Sequence, residues 1–315
     1  MADNFRYGGQ AVMEGVMMRG QKVMATVVRR PDGTLAKEVK PLHPIYTGRW
    51  RRTPLLRGVI ALLEALLLGT SALMYSANVA LEDIDGDKKK DEGGEGAKKT
   101  ESSAAVWIII IISMGLGVGL FFLLPLFLTR LITQFTDSAF VFNLVEGLVR
   151  LGIFLGYLWL VAFMPDIRRV FSYHGAEHKT IHAYEEGVEL TPHNVQIYTT
   201  AHARCGTAFL LAVMIIAILV FTLVGKPSLW VMVASRILLL PVIAALAYEV
   251  TQFGARHLNN PFIKALMAPG LWLQGLTTRQ PDDRMVEVAI VALQEALIAD
   301  GVVLKAATNP SSPLD

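Results

Sequence analysis

Hydrophobic positions along this chain gather into a few long runs, and the polar stretches between them are uneven in character. Residues 104–128, 144–164, 207–224 and 229–248 are each apolar over a length that spans or nearly spans a bilayer, for which ~20 helical residues are needed. A fifth run, 58–81, carries Glu64, Ser71, Ser76 and Asn78. Those polar positions predict a helix that lies in the interface, re-enters, or packs on the bundle without crossing. Residues 22–29 and 34–40 flank Arg30-Pro31-Asp32-Gly33, a turn sequence, and predict strands. The preceding run, Gly8 to Gly20, predicts a glycine-rich loop, read either as a tight edge loop or as a loop presenting Gln10, Glu14 and Arg19 to a ligand. Near the end, Val286, Ala289, Ile290, Leu293, Leu297 and Ile298 recur on one face of a soluble helix over 282–300, opened by Pro281-Asp282-Asp283 and stopped by Gly301.

The pattern gives a mainly α fold: a polytopic helical membrane protein with four strong transmembrane helices, one re-entrant or interfacial helix, and a small cytoplasmic β-rich N-terminal unit. Its parts are the N-terminal unit 1–56, the interfacial helix 57–82 and a solvated charged linker 83–103, which lacks apolar periodicity. A membrane bundle 104–250 encloses a His-rich connection 165–206, and a segment 251–315 follows, frayed from 306.

Composition supports the membrane reading, with 53% hydrophobic residues and a mean hydropathy of +0.45. No cleavable signal peptide is visible in the polar, basic first fifty residues. Lys and Arg number eleven in 1–57, five in 82–103, four in 165–206 and five in 249–315, against Arg130 and Lys226 alone in the two short connections. The positive-inside rule therefore places both termini and the His-rich connection in the cytoplasm of a multi-pass protein of the cell (inner) membrane. Four crossings satisfy that parity. A single cysteine excludes an internal disulfide. A net charge of +2 argues against nucleic acid, and basic residues near span ends read as orientation signals and contacts to membrane lipids. An oligomer is compatible with the sequence.

The candidate chemistry lies in the His-rich connection. His174, His178 and His182 recur at four-residue spacing along one side of a helix, with Glu177 and Glu185 beside them. His174-x-x-Glu177-His178 is an order in which two His hold zinc and Glu serves as general base. His174 to His182 spans roughly 12 Å of helix axis, so one ion cannot take all three on an unbroken helix. An adjacent pair ligates, or two ions bind, or Gly175 breaks the helix. His202 and Cys205 stand at the head of the next span, and Glu249 ends the last one at the same depth. They are the further candidate ligands for a divalent metal, zinc favoured and iron or manganese possible. His193 and His257 read as ordinary interfacial groups. Within the spans, Glu146 and Arg150 suit a local pair one turn apart, while Arg236 needs a partner, for which Glu64 is one candidate.

The runs Gly8-Gly9-Gln10-Ala11-Val12-Met13-Glu14-Gly15-Val16-Met17-Met18-Arg19-Gly20, His174-Gly175-Ala176-Glu177-His178-Lys179, Arg204-Cys205-Gly206-Thr207 and Pro269-Gly270-Leu271-Trp272-Leu273-Gln274 resemble the bacterial YqhQ-like membrane proteins over nearly the whole chain. The resemblance implies a family of unknown function described as a predicted metal-dependent enzyme, and implies no substrate.

The leading expectation is a membrane-embedded metal-dependent hydrolase, acting at the cytoplasmic leaflet on a lipid or membrane-bound peptide, with Glu177 or Glu185 as base toward metal-activated water. A di-iron lipid oxidase or hydroxylase competes, though its chemistry usually takes about eight His-type ligands and this connection offers five. The non-enzyme alternative is a membrane scaffold or transporter accessory with a structural metal.

Overall fold

The computed structural model describes residues 5, 7–91, 103–132, 138–202 and 205–302. Four strands form an antiparallel meander in chain order: β1 (Gly8–Val12), β2 (Gly15–Arg19), β3 (Val23–Arg29) and β4 (Leu35–Pro41). The two strands expected around Pro31-Asp32-Gly33 are β3 and β4, paired from Val23↔Pro41 to Arg29↔Leu35. The glycine-rich run is corrected: it is a hairpin, Gly8↔Arg19 to Val12↔Gly15, turned at Met13-Glu14 with Glu14 at φ 52°. Its glycines serve close strand packing, since a Cβ on Gly9 would lie 2.1 Å from the Met17 carbonyl oxygen.

Both faces of the sheet are covered, so its central strands read as continuous apolar runs with little alternation. Val16, Met18, Ala25 and Val27 pack on one side into the main core. Val12, Met17, Met24 and Val28 pack on the other. A short helix α1 (Pro44–Thr47) and a single tight turn, Arg49–Arg52, lead into α2 (Leu56–Asp91). One face of α2, through Leu68, Ala72, Tyr75 and Val79, covers the second side of the sheet. Leu66, Leu67, Leu73 and Met74 point away from it, exposed. The helix continues to Asp91, into the stretch expected as linker; residues 92–102 lie outside the described residues.

The bundle follows. α3 (Ser103–Val118) passes through a π-helical turn, Gly119–Leu123, into α4 (Leu124–Ile132), and α5 (Ala139–Val161) returns beside it. After α6 (Pro165–Glu185) and the short α7 (Pro192–Gln196) come α8 (Gly206–Val224), α9 (Leu229–Leu238), α10 (Leu240–Arg256), α11 (Pro261–Thr277) and α12 (Asp283–Ala299). Four stretches among the described residues are long and apolar enough to cross a membrane: Leu56–Leu81, Ile111–Ile132, Ala139–Val161 and Gly206–Val224. The expected single span 229–248 is instead a bent pair, α9 and α10, angled by 46°. Pro241, in the first turn of α10, has no N–H to continue the ladder, which accounts for the break.

Inside the bundle the Glu146 carboxylate takes both Arg150 and Arg236, and Arg236 Nη2 also donates to Asn143 Oδ1 at 3.1 Å. Glu64, the partner expected for Arg236, lies on the sheet-covering helix and binds Arg19 at 2.8 Å and Arg51 at 3.1 Å. α12 begins and ends as its caps dictate: Asp282 accepts from the Met285 N–H at 2.8 Å, and Gly301 leaves the helix at φ 76°. Its buried stripe, Val286, Ala289, Leu293 and Leu297, packs with α6 residues Tyr173 and Ile181 against the first face of the sheet. Sheet, His-rich helix and C-terminal helix thus share one core, a polar lobe at one end of the bundle.

Candidate metal centre

α6 is a single unbroken helix from Pro165 to Glu185, so Gly175 does not interrupt it. The glycine admits another backbone instead: a Cβ there would lie 2.2 Å from the Arg279 carbonyl oxygen. Of the arrangements open to three histidines, the structure assembles the adjacent pair. The rings of His174 and His178 lie 4.4 Å apart, and Cys205, which caps α8, reaches His174 Nε2 with its Sγ at 3.2 Å. One ligand atom from each of His174, His178 and Cys205 falls within 4.8 Å of the others.

The outer nitrogens are fixed by backbone. Nδ1 of His174 donates to the Thr277 carbonyl at 2.9 Å, and Nδ1 of His178 to the Thr200 carbonyl at 2.6 Å. A carbonyl only accepts, so each ring carries its proton on Nδ1 and turns the Nε2 lone pair inward. This is the orientation that outer-shell hydrogen bonds give to metal-ligating histidine. Glu177 is buried beside the pair; one oxygen accepts from the Gly9 N–H at 2.9 Å and the other lies 3.5 Å from His178 Nε2.

Other predicted residues are placed elsewhere. His182 donates Nε2–H to the Ala201 carbonyl at 2.9 Å and stacks on Tyr198. His202 stands beside the cluster in the same cavity, its ring 5.6 Å from that of His178 and its Nε2 3.7 Å from Glu185, while Gln274 binds its backbone N–H and carbonyl at 2.7 and 2.9 Å. Glu249 receives the Arg57 guanidinium and the Leu55 N–H, outside the cluster. Gln10 donates to the Ala65 carbonyl at 3.2 Å. Glu14 binds Arg169 at 2.6 Å, and that guanidinium holds its carboxyl below the usual range. Arg19 binds Glu64 and lines the cavity beside the cluster. Ala203 and Arg204 lie outside the described residues.

Sequence reasoning missed Thr200 and Thr277, which act through carbonyl oxygens that any residue type supplies. Gln274 and Gly9 sat inside recognised runs, but nothing in those runs points to their partners across the fold. Lys179 was also missed: it is buried, its Nζ donates to the Gln196 carbonyl at 2.7 Å, and desolvation lowers its pKa. It ties α6 to α7.

The cluster lines a cavity of about 630 Å³ together with residues from the segment 46–57 and the end of α10. Residues 53–299 match the family described as "Protein of unknown function (DUF1385)". The "Uncharacterized protein YqhQ" of Bacillus subtilis (strain 168) is 37% identical over 296 residues, covering 92% of each chain. No solved structure matches.

Proposed function

The chain belongs to the DUF1385 family of proteins of unknown function, and on that premise we propose that it is a membrane-embedded metal-dependent hydrolase working at the cytoplasmic leaflet on a lipid or membrane-bound peptide. One observation carries the reading: two imidazoles with outward-facing Nδ1–H bonds and one thiol converge at the wall of a cavity, with a carboxylate beside them. Two nitrogens and a sulfur suit zinc over manganese, and fall well short of a His-rich di-iron set. His174, His178 and Cys205 would hold the ion, which supplies Lewis acidity and lowers the pKa of water toward neutrality. Glu177 would take the proton on the oxygen facing His178, its other oxygen being pinned by Gly9. Glu185, the other candidate base, is engaged at His202.

The lobe supports a cytoplasmic site in the inner membrane. α3–α4, α5, α8 and α9–α10 supply four crossings that return the chain to the lobe side, where the basic residues concentrate. α2, though long and apolar enough to cross, keeps one face on the sheet, and in this reading it runs along the lobe.

The test is elemental analysis of protein purified without added metal. His178→Ala should lose the ion and His193→Ala keep it, since loss of a ligand weakens such sites by large factors. Glu177→Gln should keep metal and fold but fail to complement a deletion strain. Full occupancy in His178→Ala overturns the ligand assignment. Metal loss in Glu177→Gln makes Glu177 a fourth ligand of a closed, structural shell and favours the scaffold reading.

A further inference from the structure

Beside the His/Cys cluster, the same cavity has a basic lining. Arg19, Lys22, Arg51, Arg57 and Arg256 line it, while Glu177 is its one lining carboxylate among the described residues. Glu64 and Glu249 stand behind this wall as ion-pair partners. With Asp300, which the Lys22 N–H bonds at 2.9 Å, five cations face four carboxylates, an excess of one positive charge around one cavity. The imbalance has a structural origin. Arg19 and Arg51 share the single carboxylate of Glu64, and both are half-withdrawn from solvent, with side-chain exposures of 19% and 24%. Arg256, exposed at the end of α10, makes no ion pair among the described residues.

The wall also sits where a headgroup would. It is built from the end of β2, the β2–β3 turn, the tight turn Arg49–Arg52, the first turn of α2 and the end of α10. The approach segment exposes Ile45, Trp50, Leu55 and Leu56 between Arg49, Arg51 and Arg57, the mixture of apolar rings and cations found at a membrane surface. Guanidinium forks match phosphate oxygens in pairs, and several of them around one cavity attract that group. The volume exceeds what a lone phosphate fills.

We propose that this cavity binds the phosphate-bearing headgroup of an anionic membrane lipid, with Arg51 and Arg256 holding the phosphate in the cavity that the His/Cys cluster also lines. The proposal rests on the cavity being the reaction site and names its substrate class.

The test uses the full chain in phosphatidylcholine nanodiscs, titrated with short-chain phosphatidic acid, short-chain phosphatidylcholine and inorganic phosphate by calorimetry. Phosphatidic acid should bind at least tenfold tighter than phosphatidylcholine or inorganic phosphate. Arg256→Gln should weaken it by roughly tenfold, as loss of a charge-assisted contact does. Arg51→Gln should act likewise, and Arg256, free of an ion pair, keeps the test valid if Arg51→Gln misfolds. Arg284→Gln, a cation outside the cavity, should change nothing. Equal affinity for the two lipids, or unchanged binding in Arg256→Gln, overturns the proposal. Inorganic phosphate binding as tightly as the lipid overturns the lipid source. Protein that holds no ion as purified, by elemental analysis, yet binds phosphatidic acid through Arg256 sinks the hydrolase reading and leaves the headgroup site standing.

Discussion

Gly175→Ala offers a quantitative check on how the cluster is held. The added methyl would meet the Arg279 carbonyl oxygen at 2.2 Å and Thr200 Cγ2 at 3.1 Å. Carbon and oxygen approach comfortably only to ~3.3 Å, so the segment after α11 must retreat by about 1 Å. That segment bonds α6 twice nearby, through Arg279 N–H to the Phe171 carbonyl at 2.9 Å and through the Thr277 carbonyl to His174 at 2.9 Å. A retreat of about 1 Å takes both beyond hydrogen-bonding distance. Overpacking of this kind costs about 1–3 kcal/mol, and each lost bond about 1 kcal/mol more. The better helix propensity of alanine returns ~1 kcal/mol. The net expectation is a loss of about 2–4 kcal/mol, with metal affinity down about 10–100-fold because the His174 ring is released. Chemical unfolding in detergent micelles, followed by circular dichroism, reads the first quantity, and elemental analysis the second. Gly152→Ala and Gly156→Ala on α5 are the controls, since nothing lies within 4 Å of a methyl at either position. They should be neutral or stabilising by up to ~1 kcal/mol. A Gly175→Ala protein as stable as its parent and fully metallated would refute the reasoning.

Reporter fusions after Ser138 and Lys226 should read outside and those after Lys99, Glu186 and Leu304 cytoplasmic; an outside signal at Glu186 reverses the orientation. Arg169 holds Glu14 below its ordinary value of 4.5, so the pair's contribution is complete above that value and fades as pH falls through the lower folded value. Both side chains are more than a third exposed, so Glu14→Gln should cost less than ~1 kcal/mol at pH 7, and the difference should vanish in acid titrations. Asp300 accepts from Tyr7 Oη at 3.0 Å and the Lys22 N–H at 2.9 Å, and burial together with that carboxylate raises the Tyr7 pKa. Asp300→Ala should destabilise the lobe by roughly 2–4 kcal/mol through its stranded donors, and thermal denaturation with no shift would discount the contact.

What could be read ahead of the structure follows physical range. The amphipathic stripe and caps of α12, the turn at Pro31-Asp32-Gly33 and the apolar run 207–224 are local, and each stands within a few residues of its expected place. The Gly8-to-Gly20 hairpin misled because a sheet covered on both faces loses the polar alternation that marks a strand. His174, His178 and Cys205 were legible as ligand types, but the choice of that pair over His178 with His182 depends on carbonyls at positions 200, 201 and 277. Spacing along one helix carries no information about them. Arg236 went to Glu146, not Glu64, for the same reason: partner choice in a bundle is set by which helices neighbour each other.

The reach of these contacts bears on biogenesis. His174 obtains its hydrogen-bond acceptor from a residue 103 positions further along, beyond four more helices, and Glu177 obtains its donor from the first strand, 168 positions earlier. A nascent chain that has just emerged through α6 holds the ligand side chains without the groups that aim them. The frame of the cluster is therefore completed only once α11 is in place, so a chain truncated before Thr277 would carry His174, His178 and Cys205 without the carbonyl that aims His174.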